Sequence, residues 1–257
     1  MTVQEAYNYS VYFLGANGVD EEEFKAKCLV CHLAKIANRD YHSHLGDLVS
    51  QKKLADGLWQ LKSGTPLQYV LGEWDFLDST FAVGPGVLIP RPETEELAQL
   101  AIEQVKNAGT TPVVWDLCAG SGCIGIALAH CLPHARITAV EQSADALRYL
   151  QENAALNRTP LHIVKGDVLD PTLAESIRGV DVIVSNPPYL TEADLAALQK
   201  EVQFEPRAAL DGGQDGLLFY RGLPALWQES LNPGGRLLFE IGMGQEAAVS
   251  SFLTHAG

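Results

Sequence analysis

Residues 113–129, VVWDLCAGSGCIGIALA, leave the chain few ways to fold. β-branched and aromatic residues lead into a glycine turn, and an apolar helical pattern follows at once. Gly120-Ser121-Gly122 with Gly125 satisfies G-x-G-x-x-G, in which glycine lets backbone approach a ligand at a helix N-terminus. The alternation then continues. Strands are expected at 113–118, 136–141, 161–165, 181–185 and 236–241, with helices at about 123–131, 144–156 and 217–230. That order predicts an α/β fold, a parallel sheet with helices on both faces. Of the 257 residues 47% are hydrophobic, enough to bury such a core.

The preceding part has a different pattern. TVQE at Thr2–Glu5 fits a capping box. Val3, Tyr7, Val11 and Leu14 follow at helical spacing, and Gly15 is a plausible stop. Asp20 and three glutamates suit the positive end of a second helix. Leu54, Leu58 and Leu61 mark another, ending near Gly64. Residues 1–72 are therefore expected to be a small helical domain. Residues 73–90 read as a β-hairpin linker: strand-forming content runs from Phe76 to Val83 and Gly84-Pro85-Gly86 breaks it. Residues 91–257 form the main domain, opened by Pro92 as the first residue of a helix.

The formal net charge of −14 argues against a general nucleic-acid partner, because affinity for phosphates comes mainly from Lys and Arg. No stretch approaches the roughly 18 apolar residues of a membrane helix. The N-terminus lacks a basic, then apolar, export signal, and five cysteines fit a reducing cytoplasm. A monomer is expected.

A glycine loop alone could serve a nicotinamide or flavin cofactor. Asp116 points elsewhere, because a diphosphate would meet its negative charge. A ligand with a cationic centre and an amino-acid end, such as S-adenosylmethionine, tolerates it. Cys118, Ala119, Gly120, Ser121 and Gly122 would form its loop. Glu141, ending the second strand, can accept from both ribose hydroxyls. Asp167 follows the third strand and can meet the adenine amino group, with Val168 against the ring. The competing explanation is that these carboxylates are only solvated turn residues or helix caps.

The fourth strand runs into Asn186-Pro187-Pro188-Tyr189, where two prolines stop it abruptly. In an open α/β sheet this turn faces the same crevice as the glycine loop. The Asn186 side-chain oxygen and the Pro187 carbonyl are two rigid acceptors, suited to the two N–H bonds of a planar NH₂ group. Tyr189 can pack on that group's parent. Gripping both hydrogens favours charge build-up on an otherwise poor nitrogen nucleophile and aims its lone pair at a methyl donor.

SNPPY after such a nucleotide half resembles the class I, Rossmann-like amino methyltransferases. PLQYVLGEWDF, followed by FAVGPGVLIPRPETEEL, is similar to the release-factor glutamine methyltransferase family. The resemblance implies transfer of a methyl group from S-adenosylmethionine to the glutamine amide of the Gly-Gly-Gln loop of class I peptide chain release factors. It carries Asn186, Pro187, Pro188 and Tyr189 to the reacting amide. Cys118 to Gly122, Glu141, Asp167, Val168 and Asn186 go to the cofactor. Arg91 to Thr94 would line or brace the cofactor pocket, and the helical domain would recognise substrate. The family often has glycine at position 118 and aspartate at 141. It also continues past the helix near 244–253 into two more strands, so C-terminal strands are expected to be missing here, leaving the fifth strand as an edge.

Other motifs carry less. CLVCH at Cys28–His32 matches a haem-attachment pattern, but core packing is the better reading. DGGQDG at Asp211–Gly216 contains Gly-Gly-Gln and reads as a turn before a helix. His42 and His44 lack partners for a metal, and no metal is expected. Two alternatives stay open: an adenine-specific nucleic-acid amino methyltransferase and a non-catalytic S-adenosylmethionine-binding protein.

Overall fold

The computed structural model describes residues 1–106 and 111–256. Residue 257, the end of the expected main domain, lies outside them. The chain divides into two compact units, Met1–Glu73 with Gln199–Phe204, and Trp74–Leu198 with Glu205–Gly257.

The smaller unit is helical: α1 (Val3–Ala16), α2 (Glu22–Ala34), α3 (Gln51–Ser63) and α4 (Leu67–Leu71). The capping box forms, with the Glu5 amide donating to Thr2 Oγ1 at 3.2 Å and the Thr2 amide donating to Glu5 Oε2 at 2.8 Å. The buried stripe of α1 is Val3, Ala6, Ser10 and Leu14, rotated from the expected Val3, Tyr7, Val11 and Leu14. Small side chains let α2 pack closely, while Tyr7 sits at the rim against Tyr41 with ring centroids 5.4 Å apart. Ser10 is buried because its hydroxyl donates to the Ala6 carbonyl at 2.6 Å. Cys28 and Cys31 are core residues, and burial raises both thiol pKa values. Gly64 caps α3 in the left-handed conformation that glycine adopts freely. Residues 199–204 rejoin this unit, where Glu201 pairs with Lys25 at 3.3 Å.

The larger unit starts with the hairpin β1 (Glu73–Phe76) and β2 (Ser79–Ala82), β1 beginning one residue before it. Then come α5 (Pro92–Lys106), β3 (Val113–Leu117), α6 (Cys123–Cys131), β4 (Arg136–Glu141), α7 (Ala144–Leu156), β5 (His162–Lys165), α8 (Pro171–Glu175), β6 (Val180–Ser185), α9 (Glu192–Ala196), α10 (Leu218–Trp227), β7 (Leu231–Phe239) and α11 (Glu246–Ala256). The α/β expectation holds. The five-stranded sheet has the order β5-β4-β3-β6-β7, and every pairing is parallel. The chain steps outward through β3, β4 and β5, then returns to place β6 against the other side of β3. That reversal opens a crevice beyond the carboxyl ends of β3 and β6.

The expected strands at 113–118, 161–165 and 181–185 each shift by one residue at one end, and two elements differ more. The strand expected at 236–241 begins at Leu231 and ends at Phe239, since Asn232 to Gly235 bulge out and shift the register between Val180 and Val182. The helix expected at 217–230 tightens into a 3₁₀ turn after Trp227. β7 pairs only with β6 among the described residues. No helix among them is long and apolar enough to cross a membrane.

The core under the crevice is built on aromatic rings. Trp227 is fully buried, lies 5.4 Å from the Trp115 ring, and donates its indole N–H to the Val168 carbonyl at 2.9 Å. Truncating it removes a large ring and leaves that carbonyl unpaired. Trp227→Ala should destabilise the protein by about 3–5 kcal/mol, read as a lowered denaturant midpoint with little change in slope.

Candidate active site

The glycine loop bridges β3 and α6 and takes three left-handed residues, Cys118 (φ 61°), Gly120 (φ 55°) and Gly122 (φ 82°). A side chain at Gly122 would meet Leu150 Cδ1 at 2.3 Å, so glycine there leaves room for Leu150 of α7 against the loop. At Gly120 an added Cβ would meet only the Cys118 carbonyl, at 4.0 Å, so this backbone is open for a ligand to approach. Cys118 occupies the position where glycine is favoured, and its conformation is the physical reason for that preference.

Glu141, at the end of β4, holds the loop in place. Its Oε2 accepts from the Gly120 amide at 2.8 Å and its Oε1 from the Ser143 amide at 2.7 Å. Each carboxylate oxygen keeps a further lone pair for a ligand hydroxyl. Beneath the loop Asp116 is fully buried. Its Oδ2 accepts from the Gly125 amide at 2.9 Å, and its Oδ1 has no protein partner. Burial raises the Asp116 pKa to about 7, with the nearby Glu141 charge adding to the effect. Burial also pushes the Cys123 thiol up to about 12 and the Cys118 thiol higher still, so neither is a ready nucleophile.

The turn after β6 stands next to this loop. The Ser185 hydroxyl donates to the Leu117 carbonyl at 2.7 Å, joining the ends of the two central strands. Asn186 Nδ2 donates to Thr94 Oγ1 at 3.0 Å, and Thr94 Oγ1 donates to Glu240 Oε2 at 2.6 Å. Residues 210–216 brace Tyr189 and Leu190. The Leu190 amide donates to the Leu210 carbonyl, and the Gly212 amide to the Leu190 carbonyl, both at 2.9 Å. DGGQDG is therefore a support for this turn as well as the lead into α10, and Gly212 passes so close that a Cβ would lie 2.7 Å from Tyr189 Cα. Gln245 Nε2 donates to the Tyr189 carbonyl at 3.1 Å.

Loop and turn share one cavity of about 280 Å³, lined mostly by apolar atoms. Of the expected site residues, Cys118, Ala119, Gly120, Ser121, Glu141, Val168, Asn186 and Pro188 line it. Gly122, the N-cap of α6, does not line it. Pro187, Asp167 and Tyr189 do not line its wall: Asp167 is exposed and accepts from the Leu169 amide at 2.9 Å, while Tyr189 is half-buried. Arg91 and Thr94 line the pocket, and Arg91 is also a brace, because it pairs with the buried Glu205 carboxylate. Glu205 Oε2 also accepts from the Ile89 amide at 3.0 Å, fixing residues 89–91 as one wall.

Sequence reasoning missed Glu205 and Glu240. Glu240 was findable, since an acidic residue where a strand ends is the feature that singles out Glu141. Placing 236–241 in a strand hid it. Glu205 carries no local mark, and only folding brings it to Arg91.

The residues fit S-adenosylmethionine: an open loop backbone, carboxylate lone pairs at a strand end for ribose, apolar Val168 for a ring, and acidic rather than basic surroundings for a cationic centre. Comparisons agree. The Methyltransferase small domain family matches residues 85–218 and the PrmC N-terminal domain family matches residues 5–72. The release factor glutamine methyltransferase of Geobacter sulfurreducens is 37% identical, covering 100% of this chain and 89% of its own. Those of Moorella thermoacetica (36%; 100% and 91%) and Mycolicibacterium smegmatis (41%; 75% and 67%) are also similar. Among solved structures, the SAM-dependent methyltransferase from Agrobacterium tumefaciens has a TM-score of 0.51 at 17% identity, covering 72% of this chain and 58% of its own. The T. thermophilus 16S rRNA N2 G1207 methyltransferase, solved with AdoMet and guanosine, scores 0.50 at 23% identity, covering 70% and 44%. These two show the fold.

The buried Asp116 predicts a pH dependence of stability. Its folded pKa of about 7 exceeds the ~3.9 of an unfolded aspartate, so between those values the folded state holds more protons there. Its contribution to stability should fall as pH rises across that window, by up to about 1.4 kcal/mol per unit. Asp116→Asn should remove that part of the slope in denaturation series run at pH 5, 6, 7 and 8.

Proposed function

We infer that this chain, which belongs to the release factor glutamine methyltransferase family, transfers a methyl group from S-adenosylmethionine to the side-chain amide nitrogen of the glutamine in the Gly-Gly-Gln loop of class I release factors. The observation that carries this reading is the placement of Asn186 and the glycine loop on one pocket, with the Asn186 N–H end already bonded to Thr94. When bound, S-adenosylmethionine supplies an electrophilic methyl group on a sulfonium centre.

The chain's own residues do the rest. Gly120 and Glu141 hold the cofactor's polar edge, and Val168 offers a flat apolar face. Asn186 Oδ1 and the Pro187 carbonyl accept the two amide hydrogens of the substrate glutamine. That grip keeps the amide in one plane and stabilises positive charge arising on its nitrogen. Pro188 lines the pocket beside it, and the half-buried Tyr189 follows in the same turn. No strong base is needed, since the product amide sheds its extra proton to solvent. Residues 1–72 recognise the release factor, and the enzyme works in the cytoplasm, where release factors act. One copy supplies the whole pocket, which fits a monomer.

The direct test is methyl transfer from labelled S-adenosylmethionine to a class I release factor, to that factor with its Gly-Gly-Gln glutamine replaced, and to adenine-containing duplex DNA. Label on the intact factor alone is expected; label on DNA would overturn the reading. Asn186→Ala should lower kcat at least about 100-fold, in line with loss of a transition-state hydrogen-bonding group, with cofactor Kd changed less than threefold. Glu141→Ala should act the other way, raising cofactor Kd by tenfold or more, measured by calorimetry, because it loosens the loop and removes the ribose acceptor.

A further inference from the structure

An asparagine side chain has two ends of similar shape and opposite hydrogen-bonding character. Asn186 serves as acceptor only if its oxygen, not its NH₂, faces the substrate amide. Nothing within Asn186 decides this. The neighbouring groups do.

Glu240 follows β7 and is held by its backbone. Its amide donates to the Ser185 carbonyl at 3.1 Å, and its carbonyl accepts from the hydroxyl of the fully buried Tyr220 at 2.8 Å. Its ionised carboxylate can only accept. Thr94 has one hydroxyl proton and spends it on Glu240 Oε2. Thr94 Oγ1 therefore meets Asn186 as an acceptor, and only the NH₂ end of Asn186 can satisfy it. The Asn186 oxygen, which takes no hydrogen bond from the described residues, is left for the pocket that Asn186 lines.

We propose that Glu240 is a positioning residue whose carboxylate, acting through Thr94 and on the Asn186 NH₂ beside it, fixes which end of the Asn186 amide faces the substrate. The proposal rests on the reading of Asn186 as the acceptor for the substrate amide. Glu240 does not reach that amide itself. Its charge gives the chain of hydrogen bonds a single direction. If Glu240 is protonated, it can donate to Thr94, Thr94 can donate to the Asn186 oxygen, and the amide can turn its NH₂ toward the substrate. Two donors would then face each other.

The surroundings move Glu240 toward that change. Burial raises its pKa, with Glu93 adding to the rise, while hydrogen bonds from Thr94 and Asn186 and the Arg91 charge oppose it. The other titratable groups facing it are Tyr189 on the turn, Tyr220 on α10 and Cys123 on α6, all raised mainly by burial. Glu93 is a second carboxylate nearby, and the Glu240→Gln variant separates the two.

The test measures kcat, KM and cofactor Kd for Glu240→Leu, Glu240→Gln, Thr94→Val, Thr94→Ser and the Glu240→Leu/Thr94→Val double variant. Glu240→Leu and Thr94→Val should each lower kcat 30-fold or more with cofactor Kd within threefold. The double variant should be no worse than either alone, since both break one chain. Thr94→Ser should recover most of the loss in Thr94→Val. Glu240→Gln presents either an oxygen or an NH₂ to Thr94, so an intermediate loss is expected. The wild-type kcat should fall as pH drops through the Glu240 pKa, and the Gln variant should lack that acid limb. In parallel, hydrogen exchange of the Asn186 carboxamide is followed by NMR in the protein alone. Those protons should be protected in the wild type and exposed in Glu240→Leu and Thr94→Val.

Unprotected Asn186 protons in the wild type, kcat retained within threefold in Glu240→Leu and Thr94→Val, or additive losses in the double variant would each overturn the proposal. Should one variant fail to fold, the other carries the same test. Protection of Asn186 that depends on Glu240, in a protein that does not methylate release factor, would uphold the chain of hydrogen bonds and sink the proposed substrate instead.

Discussion

The pairing of β6 with β3 is the constraint on which the site depends. After β5 the chain could in principle extend the sheet on the same side. It crosses back instead, and Val182 to Ser185 pair with Val114 to Leu117 in parallel register. The glycine loop follows β3 and the Asn-Pro-Pro-Tyr turn follows β6, so this one pairing makes neighbours of segments more than sixty residues apart. The Ser185 hydroxyl on the Leu117 carbonyl fixes the join where the crevice opens. A right-handed crossover with helices on both faces is the economical way to build such a sheet, and it leaves the carboxyl ends of both central strands free.

Buried and half-buried carboxylates hold the site together. Glu141 stitches the loop to the start of α7 through two backbone amides. Glu205 neutralises Arg91 and captures the Ile89 amide, turning residues 89–91 into a rigid wall. Glu240 gathers Thr94 and, through it, Asn186. In each case a charge is held out of water only because backbone or side-chain donors compensate it. Asp116 is the exception. One of its oxygens is unpaired, and burial raises its pKa accordingly. The acidic balance of the chain therefore includes internal struts as well as surface charge.

The smaller unit shows what amphipathic spacing misses. Helical periodicity located α1, but the face that packs is lined by Ala6 and Ser10 rather than Tyr7 and Val11. Helices approach closely over small residues, and a buried serine satisfies itself on its own helix. Cys28 and Cys31 match a haem-attachment spacing but are core thiols. A motif of two cysteines and a histidine has no chemistry without the surroundings that would use it.

Read alone, the amino-acid order determined the alternation of strands and helices, the glycine loop, the proline stop after β6 and the acidic strand end at Glu141. These depend on local physics: period-two and period-3.6 burial, the φ > 0 that glycine allows, and the missing amide of proline. Arg136–Glu141, Cys123–Cys131 and Ala144–Leu156 are the same in expectation and in structure for that reason. Tertiary structure alone decided the strand order, the pairing of Arg91 with Glu205, and the alignment of Thr94, Asn186 and Glu240 on one chain of hydrogen bonds. Those partners lie between 92 and 146 residues apart: Asn186 from Thr94 by 92, Arg91 from Glu205 by 114 and Thr94 from Glu240 by 146. No local pattern couples such positions. Their meeting follows from how the sheet is threaded, and a side chain's hydrogen-bonding direction follows from what it meets.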